Sequence, residues 1–338
     1  MRQNLPIMVR KTLIDTGWQF AQTDKEKDGW LPAIVPGHVH LDLEREGVIP
    51  DPFQRMFERS VQWVDEKPWS YRTTFHHEID PDSKKTVLLF EGLDTVCTIH
   101  LNGKQIGESD NMFLPLEIDV RKHLLDGANE LRIDFQPASA VGFERRKAYF
   151  ESEKLPETTA CFEERPFVRK AQYMYGWDWG PRLVSCGIWK NVSIVDFSNR
   201  ILGVQAVTSQ ADGWVLTLKT EVEGKKGLRI VHTLTGDDID ELLIEGDGEY
   251  EIEGVEQWDT YNPVLYTLTT ELWDGDHLED FVETSIGFRT IELVRKPDEF
   301  GESFQFVLNG EPIWARGANW IPNHSFPSIA DQGTPARL

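Results

Sequence analysis

Apolar side chains recur at every second position along most of this chain, the period of a strand with one buried face. In 95–107 (TVCTIHLNGKQIG), Cys97, Ile99 and Leu101 alternate with other residues up to Asn102-Gly103. Asn-Gly accepts the positive φ of a tight primed turn, so this stretch predicts a hairpin. The same alternation places Leu131, Ile133 and Phe135 on one face of 127–135, and Trp214, Leu216 and Leu218 on one face of 213–222. It recurs in Leu228, Ile230, His232 and Leu234, and again in Tyr266, Leu268 and Leu272, which run into a turn at Asp274-Gly275. Helical periodicity is confined to 39–47 (VHLDLEREG) and 140–154 (AVGFERRKAYFESEK). The pattern predicts an all-β fold.

Spacing divides the chain. Residues 1–198 combine strands with long Trp- and Pro-rich loops, as in a jelly-roll β-sandwich decorated at one end. In 199–293 short strands recur at about 8–12-residue spacing between Gly and Asp turns, the pattern of an immunoglobulin-like β-sandwich. Residues 294–303 (VRKPDEFGES) read as a polar linker, and a further hairpin turning on Asn309-Gly310 follows.

Composition narrows the function. A formal net charge of −22 repels nucleic acid. No segment is apolar enough for a signal peptide or a membrane span, which makes the cytoplasm the expected location. Cys97, Cys161 and Cys186 form no close-spaced pair, and His38/His40 and His76/His77 lack a third ligand at a metal-binding spacing, so neither disulfides nor a metal is expected. The mixed charge run within 144–154 reads as a solvated helix face. Twelve tryptophans are more than a core of this size needs, and indole faces suit the C–H face of a pyranose.

Two of them fall in 173–183 (YMYGWDWGPRL), where Tyr173, Tyr175, Trp177 and Trp179 alternate with other residues and Asp178 sits between the two indoles. Residue types leave two readings. As a strand, the stretch points Trp177 and Trp179 into the core while Asp178 caps a turn before Gly180-Pro181. As a site, Asp178 offers two acceptor oxygens to neighbouring sugar hydroxyls and the indoles exclude water.

Taken with GWQF (17–20), WLPAIVPGHVHLDL (30–43), 49–75, FEGLDTVCTIHLNG (90–103), GIWKNV (187–192), SIGFRTIEL (285–293) and GANWIPNHSF (317–326), this stretch resembles the β-mannosidases of glycoside hydrolase family 2. The resemblance spans nearly the whole chain in order. It implies a galactose-binding-like jelly roll, an immunoglobulin-like sandwich and then a catalytic TIM barrel. The activity it implies is retaining, exo-acting release of terminal β-D-mannose from β-mannoside oligosaccharides, with no cofactor. It implies that Trp177 and Asp178 help to hold the terminal mannose, that Asn319 and Trp320 line the same pocket from the first barrel strand, and that Arg182 orients a nearby carboxylate, Asp178 being one candidate.

A TIM barrel needs roughly 250 residues, whereas only 35 follow residue 303. Segment 294–338 is therefore expected to be a linker and a short barrel stub, with Phe304, Phe306, Trp314 and Trp320 exposed and removable at little cost in stability. The family's acid/base glutamate follows an asparagine, and the one Asn-Glu here, Asn129-Glu130, falls in a strand of the first sandwich. No catalytic residue is assigned in this chain. A stand-alone carbohydrate-binding or scaffold protein derived from such an enzyme is the alternative.

Overall fold

The computed structural model describes residues 8–154 and 164–330; Cys161 and the 331–338 end of the expected stub lie outside the described residues. The chain divides into two compact units. One comprises Lys11–Pro81, Lys85–Asp196 and the chain from Ile321 on; the other holds the residues up to Arg10, Asp82–Lys84 and Phe197–Trp320. Both are built from strands, as the period of two requires.

The first unit is a sandwich of a six-stranded and a four-stranded sheet. The larger runs in the order Leu31–Pro32, Gln19–Gln22, Trp69–His77, Gly127–Phe135, Cys97–Leu101, Lys104–Ser109. The smaller is ordered Arg10–Leu13, Val192–Phe197, Lys85–Phe90, Leu116–Asp119. Alternate residues of the facing strands close the core: Tyr71, Ile99, Leu131 and Ile133 from one sheet meet Leu88, Phe90 and Ile194 from the other. Burying each such side chain contributes about 1.5–3 kcal/mol. Asn102 and Gly103 have φ of 51° and 76°, the primed turn their sequence predicts. Asn129 is buried in Gly127–Phe135, where its amide bonds Leu125, Gly127 and Asn102, while Glu130 points to solvent; the pair is structural. Its longer helices are Val39–Arg45 and Ala138–Glu153.

The second unit is a sandwich of a three-stranded sheet (Arg200–Gln210, Trp214–Glu223, Gly248–Ile252) and a four-stranded one (Leu242–Glu245, Arg229–Thr235, Tyr266–Asp274, His277–Ile286). Its core gathers Trp214, Leu216, Leu218, Leu234, Tyr266, Leu268 and Phe288. Ile291–Val294, Gln305–Leu308 and Glu311–Ile313 add a separate three-stranded sheet. Asn309 and Gly310 (φ 52° and 82°) form its hairpin turn.

The structure corrects the reading of 294–338 in two places. The expected polar linker is folded as a small hairpin, Pro297–Asp298 against Gly301–Glu302, because Gly301 supplies a positive φ of 147° and Ser303 N–H donates to the Lys296 carbonyl. Beyond it Phe304, Trp314 and Trp320 are exposed as expected, whereas Phe306 is half-buried. Nor is the tail removable at little cost: Phe326 is 0% exposed in the first unit, against His38 and His40, with ring centroids 5.5 and 5.7 Å away. The buried Ser328 hydroxyl lies 2.8 Å from His38 Nδ1, and the other side of the His38 ring faces Asp94 at 3.6 Å. Asp94 in turn pairs with the buried Lys170 ammonium. Residues 325–328 are thus anchored, an apolar ring and a hydroxyl finding partners that their own segment lacks.

Candidate functional site

The 173–183 stretch is not a strand, and the alternation of its aromatics does not sort them onto two faces. Gln172–Tyr175 is a 3₁₀ turn. Gly176 follows with φ 94°, and a Cβ there would sit 3.2 Å from Arg182 Cβ, so a side chain would be both strained and crowded. Residues 177–180 then make a tight turn closed by Trp177 N–H donating to the Gly180 carbonyl at 3.1 Å, with Asp178 and Trp179 at its tip. The chain returns with Leu183 N–H on the Met174 carbonyl.

Each aromatic has its own environment. Tyr175 is 0% exposed in a small cluster with Ala138, Val168 and Val184. Tyr173 packs beside Trp179, centroids 5.4 Å apart. Trp177 is 53% exposed, with the Arg165 guanidinium 5.1 Å from its ring. Burial pushes both phenols up, Tyr173 to about 12, and keeps them protonated. Asp178 is exposed and makes no hydrogen bond or ion pair among the described residues. With Glu58, Tyr175, Gly176, Trp177, Gly180 and Arg182 it lines an open recess of about 520 Å³.

Arg182 does not pair with Asp178. Its guanidinium lies 2.6 Å from Asp65 Oδ2 and 3.5 Å from Glu164 Oε1, and it donates to Gln62 Oε1 at 2.7 Å and Ser139 Oγ at 3.1 Å. Gln62 also donates its amide to the Arg182 carbonyl, and Asp65 accepts from Ser139. Burial raises the Asp65 carboxyl above its ordinary range, and Arg182 opposes that rise. Arg182 therefore welds the returning segment of the turn to the 3₁₀ turn Gln62–Glu66 and to the helix Ala138–Glu153. Two carboxylates already neutralise it, so Asp178 beside it is left with its acceptors unused.

The structure thus brings Trp177, Asp178 and Arg182 together in one unit. Asn319 and Trp320 belong to the other unit, where both are exposed. Glu58, whose carboxylate also accepts the Arg182 backbone N–H at 3.4 Å, and the Asp65–Glu164–Gln62–Ser139 support were not found from the sequence. No local pattern ties them to 177–180; only the fold does. Among the described residues no group of three or more His, Cys, Asp or Glu side chains converges as a metal site would, and no helix is long and apolar enough to cross a membrane.

Residues 18–190 match the family described as "Glycosyl hydrolase 2 galactose-binding domain-like", and residues 200–289 match "Glycosyl hydrolases family 2". The chain is 35% identical to beta-mannosidase B of Thermothelomyces thermophilus over 93% of its own length and 38% of that protein's. It is 33% identical to beta-mannosidase B of Aspergillus clavatus, covering 94% of this chain and 40% of the relative. The solved beta-D-mannosidase of Dictyoglomus thermophilum superposes with a TM-score of 0.85 at 35% identity, covering 95% of this chain and 41% of that one. A Dictyoglomus thermophilum beta-D-glucuronidase shares the fold at a TM-score of 0.62 and 16% identity, covering 94% of this chain and 48% of that one. The chain spans about two fifths of the length of the mannosidases it matches.

Proposed function

Because the chain belongs to glycoside hydrolase family 2, we propose that it is the N-terminal part of an exo-acting, retaining β-mannosidase that removes terminal non-reducing β-D-mannose. In this reading 1–198 carries half of the mannose subsite, 199–293 is the immunoglobulin-like spacer, and 294–338 leads into a catalytic barrel. The protein works in the cytoplasm, in keeping with Cys97 and Cys186, which are free and buried.

The observation that carries the reading is the state of Asp178. A carboxylate with no hydrogen bond or ion pair among the described residues is held at the tip of a turn whose base is fixed by Arg182. Two vicinal hydroxyls of a mannose ring match its two oxygens, and hydrogen bonds to a charged acceptor are the stronger kind. The exposed Trp177 ring beside it supplies an apolar wall for the sugar's C–H face. The hairpin binds and orients the terminal ring and excludes water from it. Bond cleavage belongs to a pair of carboxylates about 5–5.5 Å apart, which this reading places on the barrel.

The test is Asp178→Ala in the protein that continues into its barrel. Losing one or two charge-assisted bonds at roughly 1.5–3 kcal/mol each lowers kcat/KM on the order of 10- to 10,000-fold. The melting temperature stays put, since the exposed carboxylate supports nothing else. Unchanged kcat/KM removes Asp178 from the site.

A further inference from the structure

Away from the 177–180 hairpin, the first unit carries a second recess of about 620 Å³ that the mannose subsite does not use. Its floor is Trp69, buried and donating its indole N–H to the Val64 carbonyl, and its walls include the half-buried Trp30 and Trp63. Trp63 packs on Trp69 with centroids 6.1 Å apart. Trp30 is held from one face by the Arg72 guanidinium, 4.1 Å from its ring, which fixes the indole before any ligand arrives. Leu31 and Val48, 37% and 49% exposed, extend the apolar surface to the mouth.

The rim is polar and uncommitted. Lys25, Asp28 and Lys67 line the recess, and none of their side chains has a hydrogen bond or ion pair among the described residues; neither has the Trp63 indole N–H. Fixed indole walls with free donors and an acceptor around them match a ligand with an apolar face and a hydroxylated edge. A hydrocarbon chain or apolar helix would bury those charges unpaired, at a cost that disfavours it. A polyanion meets a chain of net charge −22. A pyranose meets both requirements at once: C–H groups against an indole, hydroxyls toward the rim.

We propose that the recess walled by Trp30 and Trp63 is a second carbohydrate-binding site, taking a pyranose ring of a β-linked oligosaccharide against its indoles. The choice of β-mannosides as first ligands rests on the function proposed above; the site itself does not. It holds a saccharide without cleaving it.

The test labels the chain with 5-fluorotryptophan and titrates it with β-1,4-mannotriose, and with cellotriose and maltotriose for comparison, by ¹⁹F NMR. Trp30→Phe and Trp63→Phe identify the two resonances. Both should shift saturably below about 10 mM, and Val48→Arg, which blocks the mouth from an exposed position, should weaken binding roughly tenfold or more without altering the folded spectrum. Saturable shifts with cellotriose but not mannotriose would keep the site and change its sugar. The proposal is overturned if no saccharide shifts Trp30 and Trp63, if only Trp177 or Trp179 responds, or if Val48→Arg binds as the parent does. It is likewise overturned if a longer, active form of the protein no longer binds there. None of these outcomes bears on Asp178, whose test is kcat/KM.

Discussion

The Arg182 guanidinium sits 2.6 Å from the Asp65 carboxylate, and this pair fixes the base of the hairpin whose tip carries Asp178. Its loss should therefore be felt first as stability. Arg182→Met leaves the mostly buried Asp65 and Glu164 facing each other without a cation. Breaking a buried pair costs about 3–5 kcal/mol; Arg182 keeps 31% of its side chain exposed, so about 2–3 kcal/mol is expected here. Chemical denaturation checks this. Asp65→Asn combined with Arg182→Met should recover part of the loss, because the double variant buries one charge fewer.

The isolated chain should not hydrolyse an aryl β-mannoside above background. The described residues hold no barrel, and the Asn-Glu pair they do hold is locked in a strand, with Asn129 bonded at Leu125, Gly127 and Asn102. Turnover that follows the protein through purification, and survives Asn129 and Glu130 substitutions, would put an active site where none is assigned.

Acid should destabilise the first unit through His40. Burial holds this imidazole at about 3, against 6.5 for the unfolded chain. Between those values only the unfolded chain takes the proton, so the native state is favoured fully above pH 6.5 and loses ground as pH falls through the window. The slope for one such group is about 1.4 kcal/mol per pH unit at its steepest. His38, lowered by burial as well, adds to it. His40→Gln should flatten the dependence of unfolding free energy on pH between 6 and 4 (a range of about two units), even if its stability at neutral pH is lower.

Phe326→Ala should cost about 3–5 kcal/mol, the range for emptying a buried aromatic site, because its ring is 0% exposed against His38 and His40. Ending the chain near Glu302 should be at least as damaging, since it also strips the His38 ring of Ser328. Thermal melts of the two variants against the parent measure this directly. Trp314→Ala, at a residue 79% exposed, is the control and should change little.

What the sequence discloses and what it hides follow from the range of the interactions involved. Asn102-Gly103 and Asn309-Gly310 are readable because a two-residue turn is decided by the φ those two residues accept. The sandwich strands are readable because alternation needs only a wet and a dry face. Residues 173–183 mislead for the same reason. Their aromatics alternate, yet the 3₁₀ turn at Gln172–Tyr175 and the tight turn at 177–180 break the strand geometry that alternation presupposes. Asp178 is singled out by family pattern, and that it has no partner among the described residues is known only from the fold. Arg182's partners come from Gln62, Asp65, Ser139 and Glu164, and Phe326's pocket from His38 and His40. Nothing local in the chain announces either.

The 3₁₀ turn Gln62–Glu66 faces two ways: Gln62 and Asp65 grip Arg182 beneath the hairpin, while Trp63 walls the second recess. Five residues of backbone thus belong to both places. A ligand that shifts this turn from one recess also shifts the groups that bound the other. Occupancy of the two would then be thermodynamically linked. By the reciprocity that governs linked equilibria, whatever factor one saccharide adds to the affinity for another must be returned in full.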